Sequence, residues 1–138
     1  MKRVLFDANV ILDVLLTRVG LHDVSKKAAS LAEKRIVVGF IPVTSIPVIF
    51  YRVEKQIGRD NAESLLKEFM HHFAIAGADE KTVSDALKAG FDDFEDAMVY
   101  SVAVNNGMDY LVTRDKQGFK KAEGLKVLTP EQFLATVG

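Results

Sequence analysis

Short runs of consecutive apolar residues alternate along this chain with longer stretches whose apolar positions recur every three to four residues. The runs are Val4-Leu5-Phe6, Ile36 to Ile41, Phe73-Ala74-Ile75, Tyr110-Leu111-Val112 and Leu125 to Leu128, rich in β-branched and aromatic residues. Continuous apolar runs of this length predict strands covered on both faces. The first helix is predicted over Asp7 to Leu16, with Val10, Val14 and Leu15 on one side. A second spans about Asp23 to Lys34, with Ala28, Leu31 and Ala32 as its inner stripe. Pro42 closes the second strand, Thr44 or Ser45 is suited to cap the next helix, and Pro47 fits its first turn. That helix ends near Gly58, and another covers about Asn61 to His72. Gly77-Ala78-Asp79 leads into a helix ending at Gly90, and Asp92 or Asp93 caps a long helix that stops at Gly107. Pro130 starts the last helix. Strands alternating with helices throughout predict an α/β fold, a three-layer sandwich with a central parallel sheet of four to five strands flanked by helices. With no repeat, low-complexity segment or linker, residues 1–138 read as one domain.

Composition narrows the classes. The chain has 138 residues, of which 49% are hydrophobic and 27% charged, so disorder is excluded. No cysteine is present, which removes disulfide frameworks, thiolate zinc sites and cysteine nucleophiles together. Eighteen Lys and Arg against nineteen Asp and Glu give a net charge of −1, unlike a protein that coats nucleic acid non-specifically. Asp7, Asn9 and Asp13 interrupt the apolar N-terminus, so it does not read as a signal peptide. The charge-free stretch from Ile36 to Tyr51 falls short of the ~20 apolar residues a membrane span needs. The expectation is a soluble cytoplasmic protein.

Two apolar strands end on acids: Val4-Leu5-Phe6 runs into Asp7, and Tyr110-Leu111-Val112 runs through Thr113 and Arg114 into Asp115. In parallel sheets, ligands bind beyond the carboxyl ends of the strands where strand order switches. If these strands are neighbours, both carboxylates meet there, although each also suits a helix cap. The segment Asp92-Asp93-Phe94-Glu95-Asp96 adds four acids in five positions. Asp92 as N-cap with Glu95 three residues into the helix fits a capping box, which leaves Asp96 over. Asp93, Asp96 and Tyr100 share one helix face, opposite Phe94, Met98, Ser101 and Val102. Carboxylates ~4 Å apart repel by about 4 kcal/mol at an effective dielectric near 20, so such a cluster takes up protons or a divalent cation. Oxygen ligands without His or Cys favour Mg²⁺ or Mn²⁺ and phosphate chemistry.

Three segments in this order, DANVILD at the N-terminus, DFEDA in the long helix and TRDKQGF after the fourth strand, resemble the PIN domain family. The nearest group is the small prokaryotic proteins that include VapC-type toxins, and the likeness extends from Val4 to the final helix. The resemblance implies a metal-dependent ribonuclease with a central parallel sheet. It implies that Asp7, Asp96 and Asp115 hold Mg²⁺ or Mn²⁺, with Asn9 and Thr113 as short polar partners and Asp93 as an auxiliary acid. The implied reaction is hydrolysis of an RNA phosphodiester by a metal-activated water, and the implied partners are RNA, an antitoxin protein and a second copy of the chain. One element departs from the pattern. The glutamate that many members carry early in the helix after the second strand falls at Phe50 here, with Glu54 one turn further on.

Two other functions are weighed against this. A haloacid-dehalogenase-like phosphohydrolase also begins with a strand and an Asp-x-Asp, but the second acid is Asn9 here. A PIN-like module that binds RNA or a partner with weak catalysis is supported by the absent glutamate. The adjacent His71 and His72 point about 100° apart on a helix and make a poor chelating pair. Arg52, Lys55 and Arg59 share a helix face, read as solvated. Arg114, Lys116, Lys120 and Lys121 flank Asp115, where a phosphate would arrive; Asp13 either faces the site or pairs with a base such as Arg18.

Overall fold

The computed structural model describes residues 1–137. Five strands, β1 (Arg3–Phe6), β2 (Val38–Pro42), β3 (Phe73–Ala76), β4 (Tyr110–Val112) and β5 (Lys126–Leu128), form one sheet among the described residues. Their order is β3-β2-β1-β4-β5, and every neighbouring pair is parallel. The chain therefore starts in the middle, builds outward through β2 and β3, then crosses back to lay β4 on the other edge of β1. Leu5 pairs with Phe40 on one side and with Leu111 on the other. The strand order reverses between β1 and β4, the position at which parallel sheets open a crevice.

Among the described residues seven helices cover the sheet: α1 (Ala8–Leu15), α2 (His22–Glu33), α3 (Ile46–Ile57), α4 (Arg59–Phe69), α5 (Glu80–Lys88), α6 (Phe94–Asn105) and α7 (Pro130–Val137). The period of two along β1 sends Val4 and Phe6 into a core shared with α1, α2, α3, α4 and α7, and Leu5 into a second core under α6. This is the predicted three-layer arrangement. In the first core Phe6 meets Phe73 and Phe133 edge-on at 5.3 and 5.8 Å, and Phe69 stacks on Phe73 at 4.5 Å. In the second, Val99, Val102 and Ala103 of α6 pack under Leu111 of β4. Helix α6 also carries α5 on its outer side, with Ser101 Oγ donating to Thr82 O at 2.8 Å.

Three local expectations shift by a few residues, each for a physical reason. The second strand begins at Val38 rather than Ile36, because the preceding residues close α2. Arg35 N–H bonds Ala32 O at 3.0 Å and Ile36 N–H bonds Leu31 O at 2.9 Å, with Arg35 at φ 59°. That is a Schellman turn with arginine where glycine is usual, and it leaves Ile36 half exposed. Neither Thr44 nor Ser45 caps α3 through its side chain; a single 3-10 turn over Val43–Ser45 feeds the helix instead. Gly58 alone separates α3 from α4 at φ 84°, so α4 begins at Arg59, two residues earlier than the pattern predicts. No described helix is long and apolar enough to cross a membrane.

Close packing of α2 on β2 depends on Gly39. A methyl group there would lie 2.6 Å from Ala32 Cβ and 2.8 Å from the Phe73 ring. Gly39→Ala is expected to lose about 1–3 kcal/mol by overpacking, read as a lower urea midpoint at unchanged m-value.

Candidate functional site

The crevice between β1 and β4 is built by the first residues beyond each strand. Asp7 N–H continues the ladder to Val112 O at 2.9 Å, and the next residues turn into α1. Asp7 is the N-cap of that helix, its Oδ1 accepting from Ala8 N–H at 2.8 Å. Its Oδ2 accepts from the Thr113 hydroxyl at 2.8 Å and from Asn9 Nδ2 at 3.4 Å. Thr113 Oγ1 in turn accepts from Asp115 N–H at 3.1 Å and Asn9 Nδ2 at 3.3 Å, while Asn9 Oδ1 accepts from Arg114 N–H at 3.2 Å. Asn9 and Thr113 thus lace the two strand ends together, orienting the Asp7 carboxylate rather than offering free donors.

Asp96 comes from α6 and Asp115 from the turn after β4. The N-cap of α6 is Asp93, whose Oδ1 accepts from Asp96 N–H at 3.0 Å. This corrects the capping box proposed for Asp92 and Glu95: Asp92 is solvent-facing, 3.6 Å from Lys121 Nζ. Asp115 caps the 3-10 turn over Lys116–Phe119, accepting from Gly118 N–H at 3.2 Å. The cap reading therefore holds for Asp7, Asp93 and Asp115, and all three also border the cleft at the strand ends.

Gly118 is the contact that sequence reasoning missed. A methyl group at this position would stand 2.5 Å from Asp96 Oδ2 and 2.9 Å from Asp115 Oδ2. Without a side chain here, the turn closes over both carboxylates in the positions they hold. The clashing atoms are the mobile ends of two side chains, so Gly118→Ala is expected to push the carboxylates apart while the melting temperature stays within a few degrees. Thermal melts of parent and variant with and without added Mn²⁺ register that displacement, any stabilisation by the ion being expected to shrink in the variant.

Glu95 is the second miss. With Asp93 at the N-cap, Glu95 is the second helical residue and is not needed for capping. It lines the cleft of about 290 Å³ that Asp7, Asn9, Asp96, Asp115, Arg18 and Arg52 also border. Glu54, the acid expected nearest the absent family glutamate, instead faces Arg59 at 3.6 Å.

The charges register one another. Burial pushes the Asp7 carboxyl above the usual carboxylate range, aided by Glu95 and Asp115 and opposed by its bonds from Thr113 and Ala8. Asp96 is pushed up to about 6, first by burial and then by the charges of Asp93, Asp7, Asp115 and Glu95. Charged forms of Asp7 and Asp96 disfavoured in this way are ones that a nearby cation would stabilise.

The donors are carboxylate, amide and hydroxyl oxygens, the set that suits a hard divalent ion. Among the described residues no three His, Cys, Asp or Glu side chains stand close enough to close on one ion by themselves. That is no misfit for Mg²⁺, which is usually held by one or two carboxylates and keeps several waters. His71 and His72 lie elsewhere, beside Phe73 and Ala74 of β3.

The basic residues near Asp115 divide. Arg114 Nε is held by Asp13 Oδ2 at 2.7 Å, and Lys116 Nζ bonds Gln132 Oε1 at 3.0 Å. Asp13 is fully buried and also takes Arg18 Nη1 at 3.4 Å and Ser25 Oγ at 2.9 Å, so it is a structural hub facing away from the cleft. Lys120 and Lys121 line a small pocket of about 50 Å³ on the far side of Asp96.

Comparison with known proteins bears on the fold and the family. No curated protein matches the chain by sequence. The fold is similar to the DNA-bound VapBC of Salmonella typhimurium, with a TM-score of 0.74 and 14% identity over 94% of this chain and 99% of that one. It is similar to the VapBC2 of Rickettsia felis bound to a promoter DNA fragment, with a TM-score of 0.71 and 17% identity over 91% and 96% of the two chains. A third similar structure is Mycobacterium tuberculosis VapC20, a sarcin-ricin loop cleaving toxin, with a TM-score of 0.63 and 11% identity over 78% and 86%. The family model described as PIN domain matches residues 3–117, and the chain, with its acids gathered at the β1–β4 crevice, belongs to the PIN domain family.

Proposed function

We propose that the protein is a divalent-metal-dependent endoribonuclease that serves as the toxin of a toxin–antitoxin pair. The observation that carries this reading is the convergence of Asp7, Asp96 and Asp115 at the strand switch, with Asp7 and Asp96 both held above the usual carboxylate range. Asp7, Asp96 and Asp115 would hold Mg²⁺ or Mn²⁺ between them, one or two carboxylates directly and the rest through waters that the ion keeps. When bound, the ion supplies acidification of a water and neutralisation of charge on a phosphate oxygen. Asn9 and Thr113 keep Asp7 Oδ2 in place through direct bonds, so this ligand needs no reorientation when the ion arrives. Asp93 fixes the start of α6, and with it the height of Asp96 over the sheet. Glu95 contributes the further negative charge on the cleft wall that the absent glutamate would otherwise supply. RNA as substrate and an antitoxin as partner are supported by the family and by the toxin and VapBC relatives of the same fold.

The phosphohydrolase reading loses its footing at Asn9, whose amide is committed to Asp7, Thr113 and Arg114. A fluorogenic RNA cleavage assay in Mg²⁺ or Mn²⁺, beside EDTA and beside Asp7→Asn, tests the nuclease reading. Cleavage is expected with metal only, and at least about 100-fold slower in the variant. Undiminished cleavage in EDTA, or by Asp7→Asn, would overturn it.

A further inference from the structure

We propose that the groove along α3 is a binding tract for single-stranded RNA, in which Tyr51 stacks a base while Arg18, Arg52 and Lys55 hold the sugar-phosphate chain leading into the acidic cleft. The inference rests on the nuclease reading and adds the form of the substrate and the residues that grip it. The groove encloses about 760 Å³ between the residues after α1 and the outer face of α3. It is continuous with the acidic cleft, because Arg18, Val48, Arg52 and Glu95 border both.

The chemistry of the walls selects an anion with an aromatic face. Three cations, Arg18, Arg52 and Lys55, stand against the single acid Glu95. Residues 51 and 55 lie four apart on α3 and 52 and 55 three apart, so they share its outer face. Tyr51 is 58% exposed, and the Lys55 ammonium sits 5.3 Å from its ring centroid. An exposed aromatic ring beside cations is the combination that holds unpaired bases and their backbone. Arg18 is steadied by the buried Asp13 through one nitrogen at 3.4 Å and is 28% exposed, so its other donors remain available to a phosphate. Arg59, the third base of the sequence stripe, is instead occupied by Glu54 and Glu63 and takes no part.

On the far side of Asp96, Lys120 and Lys121 border the second small pocket. Lys121 is held there by Gly90 O at 2.7 Å and faces Asp92 at 3.6 Å, and Asp92 and Asp93 share the wall, so Lys120 is the cation offered to a strand on this side. A phosphodiester chain that approaches over Arg52 can continue over Lys120, which places an internal linkage at the acids. A duplex keeps its bases stacked inward and cannot present one to Tyr51.

The test is fluorescence anisotropy of an end-labelled single-stranded RNA dodecamer titrated with the full chain in EDTA, at several salt concentrations. Tyr51→Ala is expected to weaken binding about 5- to 100-fold, and Tyr51→Phe to restore it. Arg52→Ala and Lys55→Ala are each expected to lower the slope of log affinity against log salt by about 0.7. The same strand annealed to its complement should bind at least tenfold more weakly, and a circular single-stranded RNA should be cut in Mn²⁺. Unchanged affinity in Tyr51→Ala together with unchanged salt slopes, or equal binding of the duplex, would overturn the tract. Groove variants that bind RNA normally but lose a co-expressed polypeptide partner would reassign the groove to protein and overturn it equally. RNA held with these signatures but left intact in Mn²⁺ would defeat the nuclease reading and not the tract. Cleavage that is indifferent to the groove variants would do the reverse.

Discussion

Asp96→Asn is expected to slow RNA cleavage at least about 100-fold in Mg²⁺ or Mn²⁺, yet to melt at a higher temperature than the parent protein in EDTA. Both effects follow from one circumstance. Asp96 holds its proton up to about 6, against an ordinary value of 3.8, because it is half-buried among Asp93, Asp7, Asp115 and Glu95. A carboxyl whose folded pKa exceeds its unfolded one favours the folded state most below the unfolded value. That contribution is lost as pH climbs through the folded value. Between pH 4 and 7, therefore, the metal-free parent protein loses stability at this residue. The shift corresponds nominally to about 3 kcal/mol, which solvent screening at a half-open group reduces to about 1 kcal/mol. Asparagine carries no charge and escapes that loss. Thermal denaturation in EDTA should show the variant ahead at pH 7.5 and the gap narrowing toward pH 4.5. Added Mn²⁺ should then reverse the ranking, by raising only the parent's melting temperature. A variant that cleaves RNA with the parent's metal dependence would remove Asp96 from the site.

Asp13→Ala is expected to have the largest effect on stability of any single polar change considered, a loss of about 3–5 kcal/mol. Asp13 is fully buried and joins three elements: Ser25 of α2, Arg18 in the turn after α1, and Arg114 beyond β4. Removing it strands two guanidinium groups and a buried hydroxyl around a cavity. The melting temperature should fall by at least about 10 °C. Release of Arg114 should also loosen the turn that carries Asp115, so residual folded protein is expected to respond less to Mn²⁺. A loss below about 1 kcal/mol would mean that the guanidinium groups, 28% and 31% exposed, rehydrate without the carboxylate.

Most of the architecture was legible in the order of residues. Apolar runs marked the five strands within two residues, Gly58 marked the break between α3 and α4, and alternation of strands with helices implied a parallel sheet. The DANVILD, DFEDA and TRDKQGF segments pointed to the family, and to the three acids now proposed as ligands. These features are local, since each depends on the period, length or turn chemistry of a few neighbouring residues. Where local signals tied, the outcome was open. Asp92 and Asp93 were both plausible caps, and only the backbone bond from Asp96 to Asp93 decided between them, freeing Glu95 to line the cleft.

Tertiary structure alone decided the rest. Thr113 bonds Asp7 across 106 positions and Arg114 bonds Asp13 across 101, distances over which periodicity carries no information. Gly118 reads in sequence as an ordinary turn glycine; its need to be glycine comes from Asp96 on another element. Arg114 reads in sequence as a base where a phosphate would arrive and Arg52 as part of a solvated face, yet a buried carboxylate turns the first away from the cleft and an open helix face leaves the second beside it. The sequence by itself determined which segments are buried and what chemistry the chain owns. Placing β4 beside β1 determined which of those charges meet, because electrostatic coupling depends on separation in space and not along the chain.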